Sequence, residues 1–248
     1  MSTSSSVERF LSQLPSQDEI KRISPPKWTW LELKQFTDSG DLGQLKRHPD
    51  LEILCRAWSD RVCAEHGTLA NFVKLRLGWN GAPPPPSGFF ALDNPPDTWQ
   101  FMKNSWPYCI PHEVQHTLVW TRLPILNPNK VQESMRGTIV ECGMWGFAGG
   151  AEAELPARGE DTERGSTFIG TGEQAKAVRA AVAVAGADVQ AFVQKHWPED
   201  AWEVAWFVNP PRLQSIADRK VTLITLIDIN IVEVVLLEKS SLSNHSEN

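Results

Sequence analysis

The sequence predicts an α+β protein in which N-terminal helices pack on a mainly antiparallel sheet within a single domain. Three observations lead there. Apolar residues at helical spacing fill the first third of the chain, and alternating or continuous apolar runs come later. Strand and helix never alternate in the βαβ rhythm of a doubly wound fold. The chain has 248 residues, 41% of them hydrophobic and 22% charged, enough to bury a core without staples. The expected organisation is an N-terminal segment with a short helix over 1–24, one α+β domain over 25–237, and a disordered tail over 238–248.

In chain order, Val7, Phe10, Leu11 and Leu14 lie at helical spacing and predict a short helix. Pro25-Pro26 interrupts the chain before a helical segment over Trp28–Phe36. Leu51, Leu54, Cys55, Trp58 and Val62 form a helical stripe, and after Gly67 the pattern returns at Leu69, Phe72, Val73 and Leu77. Gly81–Gly88, with four consecutive prolines, reads as an extended surface loop. Val114–Ile125 and Thr138–Cys142 read as strands, and Gly143, Gly146, Gly149 and Gly150 as a flexible turn. Ala148–Ser166 reads as a mobile loop. Glu173–His196 predicts one long helix with a bend at Gly186. Trp202, Val204, Trp206 and Val208 alternate strictly and predict a strand with one Trp-lined face. Val221–Leu237 reads as one long strand, or two turning near Asp228–Asn230.

Charge and cysteines narrow the class. Residues 1–150 carry 15 Lys+Arg against 15 Asp+Glu, and the remainder carries 9 against 15, which supplies the whole net charge of −6. Such a chain is not built to coat nucleic acid non-specifically, so no DNA partner is expected. A local basic face is available in the first half at Lys21, Arg22, Lys27, Lys46, Arg47, Lys74 and Arg76. Four cysteines without a C-x-x-C pair read as reduced thiols, and no apolar leader opens the chain. Asp228, Asn230 and Glu233 interrupt the longest apolar run, so no membrane span is expected and the placement is cytoplasmic.

His112-Glu113-Val114-Gln115-His116 is an H-E-x-x-H string. On a helix its histidines would share a face and chelate zinc, making a zinc hydrolase one alternative. Pro111 before it and Thr117-Leu118-Val119-Trp120 after it favour a strand, where the two rings stand about 13 Å apart, and no metal is expected. Gly170-Thr171-Gly172-Glu173-Gln174-Ala175 resembles half of a dinucleotide fingerprint but lacks a second βα unit. Thr171 with Gln174 fits a capping box instead, and no cofactor is expected. Ser105, Cys109 and Cys142 are the nucleophile candidates, with His116 the nearest base and the single tyrosine, Tyr108, in the same segment. The chemistry is expected within Trp99–Arg122.

Asn104-Ser105-Trp106-Pro107-Tyr108, then His116-Thr117-Leu118-Val119-Trp120-Thr121-Arg122, then Trp206-Phe207-Val208-Asn209 with Leu213-Gln214-Ser215, resemble a fungal family typified by the N-acetylglucosamine-induced protein. Leu45, Arg47, Pro49, Trp58 and Leu75 through Trp79 extend the resemblance across most of 28–216. One branch comprises arginine-containing cyclodipeptide synthases. That branch implies two aminoacyl-tRNA partners, one of them arginyl-tRNA, and no cofactor. The resemblance implies a catalytic set of His116, Tyr108 and Ser105. Asn104, Trp106, Trp120, Arg122, Trp206, Asn209 and Ser215 would line the substrate. Selecting arginine calls for a buried carboxylate, for which Glu113 and Glu141 are the candidates. Two positions depart from the family: Ser105 stands where Asp is usual, and Asp218-Arg219-Lys220-Val221-Thr222 replaces a usual His-x-His. A non-enzymatic binding or regulatory protein of the same family is the alternative from another class.

Overall fold

Five antiparallel strands in the order β1-β2-β5-β4-β3 form the centre of the molecule. The strands are β1 (Trp99–Lys103), β2 (Gln115–Thr121), β3 (Met144–Ala148), β4 (Trp202–Val208) and β5 (Asn230–Glu238). The helices are α1 (Thr3–Leu11), α2 (Gln17–Ile23), α3 (Trp30–Asp38), α4 (Pro49–His66), α5 (Leu69–Arg76), α6 (Glu133–Cys142), α7 (Gly172–Ala185) and α8 (Ala187–His196). This computed structural model describes residues 3–85, 87–151, 169, 172–214 and 230–239. Outside that set lie most of the Ala148–Ser166 loop, Gly170 and Thr171 of the glycine string, Ser215, Asp218–Thr222 and the tail from 240 on. The fold is α+β in one domain, as the element pattern predicts.

Paired residues share a sheet face, so the register divides the side chains between two layers. One face carries Val119, Val232, Val204 and Trp206 and is covered by α7 and α8. The other carries His116, Leu118 and Trp120 of β2, Ile231, Glu233 and Val235 of β5, and Glu203, Ala205 and Phe207 of β4. This second face meets two groups of helices. At the β3–β4 end, α3 covers it and belongs to the larger core. At the β1–β2 end, Trp120, Leu118 and Ile231 join Phe10, Ile20, Trp58 and Phe72 of the N-terminal helices in a separate core. Phe10 of α1 and Ile20 of α2 are buried in that core.

Local chemistry accounts for the helix ends. Ser16 with Glu19, and Thr29 with Glu32, form reciprocal capping boxes at the starts of α2 and α3. The helical stripe expected over residues 51–62 is buried at Leu51, Cys55, Trp58 and Val62, whereas Leu54 points outward.

Three readings need correction. Thr138–Cys142 is the end of helix α6, not a strand, because Met135, Ile139 and Cys142 fall at i, i+4 and i+7 and meet the core together. The expected long helix is two helices broken at Gly186, where a Cβ would lie 2.5 Å from the Trp206 ring. Gly146 lies inside β3 rather than in a flexible turn, since the same indole covers it and leaves no room for a side chain. The predicted strand Val114–Ile125 is present as the shorter β2, and β5 occupies the end of the apolar run 221–237, whose residues up to 229 lie outside the described set.

Candidate functional site

A polar cluster occupies the seam between the two cores, on the face of the sheet that meets α3 and α4. Its centre is Glu233, whose side chain is 12% exposed and sits on β5 opposite Leu118 and Phe207. Tyr108 Oη donates to Glu233 Oε1 at 3.1 Å, and Asn209 Nδ2 donates to the same oxygen. His116 Nε2 lies 2.9 Å from Oε2. Asn209 Nδ2 also approaches Tyr108 Oη at 3.3 Å.

The contacts run from the backbone inward. The Trp106 amide donates to Asn104 Oδ1 at 2.9 Å, which turns the Asn104 NH2 group toward His116. Asn104 Nδ2 then lies 3.3 Å from His116 Nδ1 and 3.4 Å from Nε2. A proton carried on Nε2 would be aimed at the Glu233 carboxylate, 2.9 Å away. Glu233 thus has three polar partners, Tyr108, Asn209 and His116. A carboxylate has about four acceptor sites, so among the described residues one is left for a further N–H or O–H.

Tyr108 is fixed from both sides. Its ring lies 5.1 Å from the His116 ring and 5.9 Å from the Arg47 guanidinium carbon. Arg47 is anchored by its own bonds, Nε to the Trp106 carbonyl at 2.8 Å and Nη1 to Glu52 at 3.0 Å. Burial, reinforced by the Glu233 charge, raises the phenol well above its ordinary range, so Tyr108 acts as a neutral donor and not as a phenolate.

The other site residues fall into three groups. Ser105 lies between Asn104 and Trp106 at intermediate exposure. Both ring nitrogens of His116 are engaged by Asn104 and Glu233, so neither serves Ser105 or Cys109 as a base. Cys109 Sγ accepts from Ser24 Oγ at 3.6 Å, and burial pushes the Cys142 thiol up to about 11, so Cys142 is no thiolate at neutral pH. Trp106 and Trp120 line the second core beside the cluster.

The remaining residues lie away from it. Trp206 is on the opposite face of the sheet, its indole N–H donating to Gln190 Oε1 at 2.7 Å, so it cannot line this site. Arg122 reaches the Pro83 carbonyl. Glu113 and Glu141 are exposed, on the turn before β2 and on α6, and neither is the buried carboxylate sought for arginine. Glu233 is the acid that sequence reasoning missed. Its visible signal is a charge set among Ile231, Val232, Val234 and Val235.

His112 lies on a turn and His116 on a strand, so the H-E-x-x-H string never presents two rings on one helical face. Among the described residues no group of three His, Cys, Asp or Glu side chains is placed to hold a metal. A second buried pair lies farther along the same face, where Glu203 Oε2 accepts from Trp30 Nε1 at 2.7 Å and meets Lys34 Nζ at 3.5 Å. Among the described residues, no helix is long and apolar enough to cross a membrane.

Residues 29–142 match the model of a family described as a protein of unknown function, DUF3605. The DUF3605 match contains Asn104, Tyr108 and His116 and ends before Asn209 and Glu233. It agrees with the sequence resemblance in pointing to a family of unknown function, and it does not bear on the cyclodipeptide branch. The fold is similar to the crystal structure of HTC1, with 21% identity over 85% of each chain and a TM-score of 0.46. No curated protein matches the chain.

Proposed function

We propose that the protein is a tRNA-dependent cyclodipeptide synthase that joins arginine, delivered as arginyl-tRNA, to a second aminoacyl group. Arginine and tRNA rest on the family resemblance. The observation that carries the chemistry is Glu233, a largely buried carboxylate held by Tyr108, Asn209 and His116, which among the described residues leave about one of its acceptor sites open. A bidentate guanidinium needs more than one open site, whereas a single amine N–H fits. Glu233 therefore holds the attacking α-amine and takes its proton.

The reaction needs no redox step and no ATP, because aminoacyl esters are already activated. The amine nitrogen of one aminoacyl-tRNA attacks the ester carbonyl of the other. The C–N bond forms, the C–O bond to the ribose breaks, and the proton passes through Glu233 to the departing ribose oxygen. The free α-amine of the dipeptidyl-tRNA then attacks its own ester in the same manner, closing the ring and releasing the second tRNA. Tyr108, His116 and Asn209 hold the carboxylate in place through both steps.

The decisive assay supplies purified protein with radiolabelled arginine, tRNA, ATP and arginyl-tRNA synthetase. Labelled cyclic product is expected, and it should vanish with ribonuclease or without the synthetase. Glu233→Gln and His116→Ala should lower the rate by about 100-fold or more, with melting still cooperative. His112→Ala, on the exposed turn, should change it less than about twofold. Product that survives ribonuclease would sink the tRNA requirement, and a Glu233→Gln variant with wild-type rate would sink the proton role. A second reading, a non-enzymatic binding protein, is favoured by one feature: every member of the cluster already has a partner within it. Absence of any product from folded wild-type protein would select it.

A further inference from the structure

We propose that Lys27 and Lys46, with Lys21 and Arg22 beside them, form a contact surface for an RNA sugar–phosphate backbone that brings an acceptor end to Tyr108 and Glu233. This rests on the synthase reading above. All four side chains are exposed, and two segments, residues 21–28 and Lys46, meet at one residue, Cys109. The Lys27 and Trp28 amides both donate to the Cys109 carbonyl, at 3.1 and 3.4 Å. The Cys109 amide donates to the Lys46 carbonyl at 3.1 Å. Ser24, which caps α2 directly after Lys21 and Arg22 in its last turn, donates to Cys109 Sγ. Cys109 is the next residue after Tyr108, so these cations surround the loop that carries the tyrosine.

Their charges are available. Among the described residues none of the four forms an ion pair, although Lys27 lies 4.5 Å from the centre of the Trp28 ring. By contrast Arg9, Arg56, Lys130, Lys176 and Arg179 elsewhere are all paired with carboxylates. The nearby acids Glu19 and Glu32 are engaged in the capping boxes of α2 and α3, and Arg22 adds a weaker pull on Glu19. Asp18, three and four residues before Lys21 and Arg22 on α2, and Glu113, on the turn before β2, are further exposed acids of the adjoining segments. Pro25 and Pro26 stiffen the backbone ahead of Lys27, so the mount does not need ordering on binding. An anionic membrane is the poorer fit. Four cations on a protein of net charge −6 fall at the low end of a lipid-binding cluster, and of the exposed large apolar residues Leu31 alone lies close to Lys27 in sequence, while Ile53, Leu54, Leu92, Phe101 and Val184 belong to other segments.

The test measures binding of labelled, deacylated bulk tRNA by fluorescence anisotropy between 50 and 200 mM salt. About four phosphate contacts predict a loss of affinity on the order of 100-fold across that range. Lys27→Glu with Lys46→Glu should weaken binding at least about 10-fold and flatten the logarithmic salt slope by about 2. The same variant should raise KM for arginyl-tRNA while leaving kcat within about twofold. Lys176→Glu with Lys195→Glu, on the layer across the sheet, should bind tRNA as wild type does. Unchanged tRNA binding and KM in the Lys27/Lys46 variant would overturn the surface while leaving the synthase reading intact. Stronger binding to phosphatidylserine vesicles than to tRNA would also overturn it. Weakened tRNA binding without any cyclic product from the wild type would support the RNA surface and refute the synthase.

Discussion

Tyr108 is the only tyrosine in the chain, which makes its chemistry directly visible. Its folded-state pKa is raised by burial and by the charge of Glu233, above the ordinary phenol value of about 10. The neutral form is therefore favoured in the folded protein, and its contribution to stability is fully present below about pH 10. Above that, the unfolded chain ionises first and stability falls as pH rises. Burial raises Cys142 in the same direction, from 9.0 to about 11, so the decline begins near pH 9. In an alkaline titration, the phenolate absorbance band should stay absent from the folded protein at pH 10 to 11 and appear only with unfolding. A normal phenol titration in the native state would contradict the placement of Tyr108. At this scale the sequence was only half legible. Asn104, Tyr108 and His116 lie within one short segment, but Glu233, the carboxylate that Tyr108 and His116 share, is 117 positions from His116, and no local pattern links them. In sequence Glu233 is one polar interruption of an apolar run. Only the strand register turns it toward His116.

Among the elements, periodicity identified α4, α5 and β4 because their apolar stripes are long and meet one surface. It failed for α6, whose β-branched Thr138, Ile139 and Val140 favour a strand locally while their helical spacing favours the core. The glycines of this region separate into two kinds. Gly146 must remain small because a Cβ there would lie 2.7 Å from the Trp206 ring, whereas Gly137 in α6 has nothing within 4 Å. Gly146→Ala should cost about 1–3 kcal/mol by overpacking and lower Tm by about 2–10 °C. Gly137→Ala should instead stabilise by about 0.5–1 kcal/mol, since it removes a helix-interior glycine. Thermal melts of both variants decide the matter. Equal and opposite signs are not required, but a Gly146→Ala variant as stable as wild type would mean that the indole does not cover that glycine.

For the whole molecule, one sheet face serves two cores, and the polar cluster lies where they meet. The α+β class was legible because the first five helices precede any strand, although α6, α7 and α8 lie between later strands. The division into two cores was not, since it depends on which end of β2 and β5 each helix reaches. The strand order adds something of a different kind, a timetable. β5 is the third strand in the sheet but the last in the chain, and it separates β2 from β4. Until it arrives, the β1–β2 hairpin and the β3–β4 pair have no common hydrogen-bonded edge, and both wait with an unsatisfied strand. Helices can form within microseconds, while closure around a late central strand must first overcome the loop entropy of a long chain. In stopped-flow refolding, far-ultraviolet helix signal should therefore precede burial of the β4 tryptophans, with the second phase falling in milliseconds to seconds. A single phase common to both signals would count against late closure. Glu233 comes with that strand, so late closure would bring it to the Tyr108–His116 pair only when β5 docks, and no chain lacking β5 in place presents the completed cluster.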